Sequence, residues 1–393
     1  MINQKGKTMR ILLVGGGSGG HVTPLKAISD LLKKGNRSNK LFVVSDRGFK
    51  SETAQIFSDD PDVLLSAIFA GKFRRYHSKS FIWHILHLST LLKNIRDVFY
   101  LSFGLIQSIW LIARIRPDVV FCKGGFVCVP VGIAARLFKK RIIIHDSDTR
   151  PGLTNRFLSK WADVIATGMP TDFYPYDARK MVYTGMPVHA GYTPQTKHQQ
   201  STLKVSLGFK ADQKVLLVTG GGNGAESLNE LISETIGELV GDGWGIIHIA
   251  GRGKTSSLQT VQATLPAAIR PQWHIEGFVE MLPRLLAADV VIARTSASTL
   301  QECANAKKLV IGIPSPHLAD QNMNAEYFAS KNTIIILNEP TLTGQQLVRQ
   351  INELITDTDR VSELTRNLHR HFAKPGASEQ ITEIILSSQR SRG

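Results

Sequence analysis

Apolar residues along this chain gather in short blocks instead of alternating singly with polar ones. Runs that are apolar at nearly every position recur at Arg10–Val14, Leu41–Ser45, Val63–Phe69, Val119–Cys122, Arg141–His145, Val164–Thr167 and Met181–Thr184. A second series follows at Lys214–Thr219, Gly245–Ala250, His274–Gly277, Val290–Ala293, Leu309–Ile313 and Thr333–Leu337. A strand covered on both faces has no use for polar alternation, so such runs predict parallel strands with helices packed on each side. Pro24–Lys34 has the helical spacing expected of one such crossover. The rhythm predicts an α/β protein of two doubly wound Rossmann-like domains facing each other across a cleft. In such sheets ligands bind beyond the carboxyl ends of the strands.

Between the two series lies Pro187–Gln200, rich in Pro, Gly, Thr, Gln and His and poor in apolar residues. It reads as a linker, which places one domain at 1–190 and a second at 191–372. A helix within 373–393 is expected to pack back on the first domain. The length of 393 residues agrees, because one core stops growing near roughly 250–300 residues.

Composition then narrows the class. With 42% apolar and 20% charged residues, disorder and fibrous repeats are excluded. Cys122, Cys128 and Cys303 are too few for a disulfide framework and lack C-x2-C spacing, so buried thiols in a reducing compartment are expected. Lys5, Lys7 and Arg10 precede only the short run Ile11–Val14, too short for a secretory apolar region, and a cytoplasmic protein is expected. A formal charge of +15 implies an anionic partner: nucleic acid, phosphorylated substrate or acidic membrane.

The placement of that charge favours a membrane. From Gly71 to Arg116 the chain carries Lys72, Arg74, Arg75, Lys79, Lys93, Arg96, Arg114 and Arg116 against the single acid Asp97. Phe73, Tyr76, Phe81, Trp83, Phe99, Tyr100, Phe103 and Trp110 are interleaved, a mixture suited to anionic lipid. The uncharged stretch Val98–Ala113 is shorter than the roughly 20 residues of a bilayer span and reads as a buried crossover helix. No nucleic-acid-binding motif accompanies the charge.

Three glycine-rich turns carry the chemistry. Strand Ile11–Val14 runs into Gly15-Gly16-Gly17-Ser18-Gly19-Gly20-His21. Glycines let the backbone approach a ligand, and a following helix offers free N–H groups to an oxyanion. Gly15-x-Gly17-x-x-Gly20 with Asp46 at the next strand end also fits a dinucleotide site, which keeps a nicotinamide oxidoreductase open. The second series repeats the device at Gly220-Gly221-Gly222-Asn223-Gly224-Ala225, and Lys123-Gly124-Gly125-Phe126 supplies a third turn. Hydride transfer needs one such loop, whereas an enzyme joining a diphosphate donor to a phosphorylated acceptor can use two or three, so the count favours group transfer.

At this level the sequence resembles the MurG-type glycosyltransferases of family 28, which have the GT-B architecture, over nearly its whole length. The family's G-G-T-G-G-H reads Gly16-Gly17-Ser18-Gly19-Gly20-His21, and G-G-Y reads Gly124-Gly125-Phe126. H-E-Q-N followed by G-L-T-N becomes His145-Asp146-Ser147-Asp148 and Gly152-Leu153-Thr154-Asn155; G-N-P-V-R becomes Gly185-Met186-Pro187-Val188-His189. G-G-S-Q-G-A matches the second glycine loop, and R-S-G-A-L-T-V-S-E matches Arg294–Glu302. D-N-H-Q-x-x-N-A matches Asp320-Gln321-Asn322-Met323-Asn324-Ala325 with two residues fewer before the glutamine.

The resemblance implies inverting transfer of N-acetylglucosamine from UDP-N-acetylglucosamine to an undecaprenyl-pyrophosphate-linked muramyl (pentapeptide) acceptor, by a peripheral enzyme at the cytoplasmic membrane face. It makes the first domain the acceptor and membrane-facing one and the second the donor domain. It requires no cofactor, and divalent-metal dependence stays open. Another GT-B sugar transferase or a UDP-sugar epimerase is the alternative. His21, Asp146 and Asp148 become the candidate catalytic residues. Ser18, Gly19, Gly20, Gly124, Gly125 and Asn155 are implied on the acceptor side. For the donor the resemblance implies His189, Gly222, Asn223, Gly224, Val279, Ala297, Ser298, Thr299, Leu300, Gln301, Glu302, Gln321 and Asn322, with Asn223 at the diphosphate and Glu302 at the ribose hydroxyls. His189 stands in place of an arginine, Asp148 of an asparagine, Phe126 of a tyrosine and Gly222 of a serine.

Overall fold

The computed structural model describes residues 8–71 and 88–387, with side chains left undescribed for 88–95. The cations Lys72, Arg74, Arg75 and Lys79, the aromatics Phe73, Tyr76, Phe81 and Trp83, and the Lys93 side chain lie outside the described residues. The chain forms two compact units. The first takes residues up to Asp146, Pro151–Pro187 and the chain from Ser378; the second takes Ser147–Arg150 and Val188–Ala377.

In the first unit the strands are β1 (Arg10–Gly15), β2 (Lys40–Asp46), β3 (Leu64–Ile68), β4 (Val119–Gly124), β5 (Arg141–Asp146), β6 (Val164–Thr167) and β7 (Met181–Tyr183). Its helices are α1 (Gly19–Gly35), α2 (Lys50–Ile56), α3 (Leu88–Ile115), α4 (Cys128–Leu137), α5 (Leu153–Leu158) and a last one, Ala377–Leu386. The sheet is parallel in the order β3-β2-β1-β4-β5-β6-β7, so the direction of winding reverses between β1 and β4. Leu12, Val14, Val120, Cys122, Ile142 and Ile144 are buried together with Val131, Ala134 and Ala135 of α4. β-branched residues on both faces of β1, β4 and β5 make these the centre of the sheet.

The second unit contains α6 (Lys197–Ser206), β8 (Val215–Thr219), α7 (Glu226–Gly241), β9 (Gly245–Ile249), α8 (Thr255–Thr264), β10 (Trp273–Glu276), α9 (Leu282–Ala287), β11 (Val290–Ala293), α10 (Ala297–Asn305), β12 (Leu309–Gly312), α11 (Ala319–Ala329), β13 (Ile335–Ile336), α12 (Gly344–Thr356) and α13 (Thr358–Phe372). The order β10-β9-β8-β11-β12-β13, parallel throughout, repeats the reversal between β8 and β11. Both sheets therefore leave a crevice at the carboxyl ends of their central strands, next to a glycine loop.

Two expectations change. The first crossover helix begins at Gly19, inside the glycine run, so His21 lies in its first turn and Pro24 in its second. Val98–Ala113 belongs to a longer helix, α3, a crossover that is buried on one face only: Ser108, Leu111 and Ile112 are buried, whereas Phe99, Phe103, Ile106 and Trp110 are 60%, 55%, 64% and 59% exposed. Their spacing of four, three and four residues puts them along one face. Arg96–Ile115 is twenty residues, long and apolar enough to cross a membrane by length and composition. Arg114 lies over the Trp110 ring and Arg96 over Tyr100. The three cysteines are free and buried.

The last helix joins the first unit through Arg141, at the start of β5. Its guanidinium donates to the carbonyls of Ile384 at 3.0 Å, Ile385 at 3.3 Å and Ser387 at 2.5 Å, satisfying groups that a helix end leaves without partners.

Candidate functional site

In the first unit the β1–α1 and β4–α4 turns are packed backbone against backbone. A Cβ on Gly125, whose φ is +85°, would come within 2.2 Å of the Gly16 carbonyl oxygen. Phe126 lies against Gly17, where a Cβ would be 2.8 Å from its ring. Asp46 closes the other side, its carboxylate accepting the Gly17 N–H at 2.6 Å. The acid that a dinucleotide site would offer to a ribose is thus taken up inside the loop. Ser18 precedes α1 without a side-chain cap, which leaves the first-turn amides that include Gly19 and Gly20 facing outward from the helix start.

His21 stands beside these amides, with its Nδ1 enclosed and without a hydrogen-bond partner. Burial, and then the charge of Lys123, hold its pKa down to about 3, so the ring is neutral at pH 7. Lys123 is fully buried one residue before Gly124, whose added Cβ would be 2.9 Å from that Nδ1. His145 is buried, bonds Gly185 O through Nε2 at 2.9 Å, and is likewise held well below its usual range by burial and Lys123.

Asp146 and Asp148 have different partners. The Asp146 carboxylate is buried, accepts the Tyr176 hydroxyl at 2.5 Å and the Gly152 N–H at 3.3 Å, and helps burial push the Tyr176 phenol up. Asn155 turns inward and donates to the His145 carbonyl at 3.1 Å. Asp148 belongs to the second unit, where Asn324 Nδ2 donates to its carboxylate at 2.9 Å and to Thr295 O at 3.0 Å. Asn324 Oδ1 accepts both the N–H and the hydroxyl of Thr149. Among the described residues no group of three or more His, Cys, Asp or Glu side chains could hold a metal ion.

The second unit's loop Gly220–Ala225 leads into α7, which also starts without a side-chain cap. A Cβ on Gly224, at φ +66°, would approach the Ala250 carbonyl oxygen to 1.9 Å, and Arg252 N–H donates to Gly222 O at 3.2 Å. Asn223 is exposed and Gly222 half-buried at the tip.

The stretch 297–302 forms the first two turns of α10, and a helix cannot turn six consecutive residues to one ligand. Leu300 is buried in the core, and Gln301 is buried and donates its amide N–H to Asn305 Oδ1 and the Phe372 carbonyl. Ala297 and Thr299 are buried, Ser298 is half-buried, and Ser296 Oγ donates to Thr299 Oγ1. Glu302 is half-buried, and burial pushes its carboxyl up to about 8. Gln321 accepts Ser315 N–H at 2.9 Å and Asn322 donates to Ser315 O at 2.8 Å, so both shape the turn before α11. Exposed His189 accepts the Gly191 N–H through Nδ1, and Val279 is half-buried after β10.

Residue types alone did not single out Lys123, Tyr176 or the role of Arg294. Arg294 donates to Ile313 O and to Ser227 Oγ, and pairs with Glu339 at 2.5 Å, tying the end of β11 to the start of α7. The signal available was a cation at the carboxyl end of a buried strand, within β4 at Lys123 and directly after β11 at Arg294.

Two doubly wound parallel units with glycine turns at their switch points define an α/β protein of the GT-B class. Residues 11–167 match the glycosyltransferase family 28 N-terminal domain, and residues 215–381 match its C-terminal domain. The chain belongs to glycosyltransferase family 28, and it is a hexosyltransferase. It is 30% identical over 96% of its length to a Natranaerobius thermophilus protein, covering 100% of that protein, named UDP-N-acetylglucosamine–N-acetylmuramyl-(pentapeptide) pyrophosphoryl-undecaprenol N-acetylglucosamine transferase. A Desulfotalea psychrophila protein of the same name is 31% identical, with 95% of each chain covered. Among solved structures, Acinetobacter baumannii MurG matches with a TM-score of 0.63 at 21% identity, covering 96% of this chain and 99% of that one. UDP-GlcNAc 2-epimerase from Neisseria meningitidis matches at 0.62 and 14% identity, covering 96% and 100%, a likeness of fold alone.

Proposed function

We propose that this chain transfers N-acetylglucosamine from UDP-N-acetylglucosamine to a muramyl (pentapeptide) pyrophosphoryl-undecaprenol acceptor, in the formation of a peptidoglycan precursor. The observation that carries the reading is identity near 30% to transferases of that name across both units and nearly the whole length. In the reaction an acceptor hydroxyl oxygen attacks the anomeric carbon, the bond from that carbon to the UDP oxygen breaks, and UDP leaves with the bonding pair. Inversion follows from a single displacement. The hydroxyl proton passes to a base, and His21 is the residue we assign: neutral at pH 7 and in the first turn of α1, beside the uncapped helix start. Asp146, engaged by Tyr176 and Gly152, orders the turn after β5, and Asp148 anchors its segment to Asn324.

On the donor side, the amides of Gly222, Asn223 and Gly224 at the start of α7 suit a diphosphate, where the helix dipole favours negative charge. Glu302 suits the ribose hydroxyls, and the turn held by Gln321 and Asn322 the sugar. On the acceptor side, the uncapped start of α1 at Ser18, Gly19 and Gly20, beside Gly124 and Gly125, suits the pyrophosphate. The exposed apolar face of α3, flanked by Arg96 and Arg114, supports attachment to the anionic cytoplasmic face of the membrane that holds such an acceptor.

The test supplies labelled UDP-N-acetylglucosamine with and without the lipid-linked acceptor. Acceptor-dependent label in lipid with stoichiometric UDP release is expected. A C2-epimerised nucleotide sugar formed without acceptor would replace this reading with an epimerase.

A further inference from the structure

The strand β9 is Gly245-Ile246-Ile247-His248-Ile249, and its histidine is fully buried among isoleucines. Burying an imidazole is unfavourable unless its nitrogens find partners, and the chain supplies both. Trp273 Nε1–H points to His248 Nδ1 at 3.4 Å, and His248 Nε2 lies 3.0 Å from Asn229 Oδ1. Asn229, buried on α7, donates through Nδ2 to the carbonyl of Ala250 at 3.0 Å. That bond turns Oδ1 toward the ring, so one tautomer, with the proton on Nε2, satisfies every member.

The relay ends at a carbonyl that touches the second glycine loop. Gly224 packs on Ala250 O with no room for a Cβ, and a Cβ on Gly251 would lie 2.2 Å from Gly224 N. The contact is main chain on main chain, with no side chain to absorb a shift. A displacement of Ala250 therefore passes to Gly224 and, through the Arg252 N–H bond to Gly222 O, to the loop tip. On the other side Ala250 N–H is fixed by Glu276 O at 2.9 Å.

We propose that His248 is a positioning residue for the donor diphosphate, acting through Asn229 and the Ala250 carbonyl on the loop Gly220–Ala225. The inference rests on the reading that this loop receives the diphosphate of the UDP-sugar.

The experiment measures UDP affinity by calorimetry, donor and acceptor KM, kcat and melting temperature for four variants of the full chain. His248→Leu removes the donor to Asn229; Asn229→Asp keeps shape but faces the Ala250 carbonyl with an acceptor. Both are expected to raise the UDP Kd and donor KM by about tenfold or more, with acceptor KM and saturated kcat within about threefold. His248→Gln retains an N–H for Asn229 and should return UDP affinity to within about threefold of the parent. Gly224→Ala drives a methyl group into Ala250 and should abolish UDP binding. If Gly224→Ala loses UDP while His248→Leu and Asn229→Asp bind it normally, the positioning role is wrong and the diphosphate loop stands. Normal UDP binding by Gly224→Ala overturns both. A parallel fall in melting temperature, kcat and both KM terms, unrelieved by His248→Gln, reduces His248 to a core residue.

Discussion

The carboxylate of Asp46 is bonded to the main-chain N–H of Gly17, at 2.6 Å, within the first glycine loop. An acid at this strand end is what sequence reasoning would assign to a ribose hydroxyl in a nicotinamide enzyme. Here it serves as the loop's own anion. NADH is therefore expected not to bind at concentrations where UDP does, which a fluorescence titration of both ligands checks. Asp46→Ala should cost about 1.5–3 kcal/mol of stability in urea unfolding, the scale of a hydrogen bond to a charged group.

His21→Ala should lower kcat by roughly 10²–10⁴-fold with UDP affinity unchanged, since a base acts in the transition state. Normal turnover at saturating substrates would return His21 to a structural part. The ring pKa is held down to about 3 by burial first and Lys123 second, so His21 should give no inflection between pH 5 and 8. Lys123→Met removes a repelling charge and should move the acid limb of the rate profile upward. Because the folded pKa lies below the unfolded value of 6.5, the neutral ring favours folding above 6.5. That contribution is lost as pH falls from there toward 3.

Glu302 carries the opposite sign. Its folded carboxyl sits near 8 and its unfolded one at 4.5, so the folded state holds the proton between these values. The stability it contributes is present below 4.5 and lost as pH rises through 8. Glu302→Gln, which cannot ionise, should melt increasingly above the parent as pH is raised from 5.5 to 9. Glu302→Ala should weaken UDP binding by roughly 1.5–3 kcal/mol if two hydrogen bonds to the ribose are lost. Parent UDP affinity should improve as the carboxyl ionises; a pH-independent Kd, or full affinity in the alanine variant, counts against the ribose role.

Phe103→Ser with Ile106→Ser should release the protein from anionic vesicles, because each buried apolar side chain contributes roughly 1.5–3 kcal/mol. UDP binding should be unchanged, since α3 lies in the first unit and the proposed donor loop in the second. Undiminished co-sedimentation of the double variant at low salt would mean that the exposed stripe faces something other than lipid.

The central strands were legible because they are apolar on both faces, a pattern that survives without knowledge of neighbours. The start of α1 was not: glycines are poor helix residues, yet Gly19 and Gly20 form its first turn. An apolar helix reads the same whether covered or bare, which hid the exposure of Phe99 to Trp110. Motif matching gathered Ala297 to Glu302 as one group, and helical rotation then separated half-buried Glu302 from buried Leu300 and Gln301. The partnership of Asp148 with Asn324, 176 residues apart, has no local signal at all.

The Arg141 guanidinium belongs to a strand near the middle of the first sheet, yet the carbonyls it binds are made some 240 residues later. Synthesis proceeds from the amino end at about 5–20 residues per second, so this cation waits on the order of ten to fifty seconds for Ile384 to Ser387. During that interval the second unit, Val188–Ala377, is made in full. The earlier-translated unit is thus the later one to be completed.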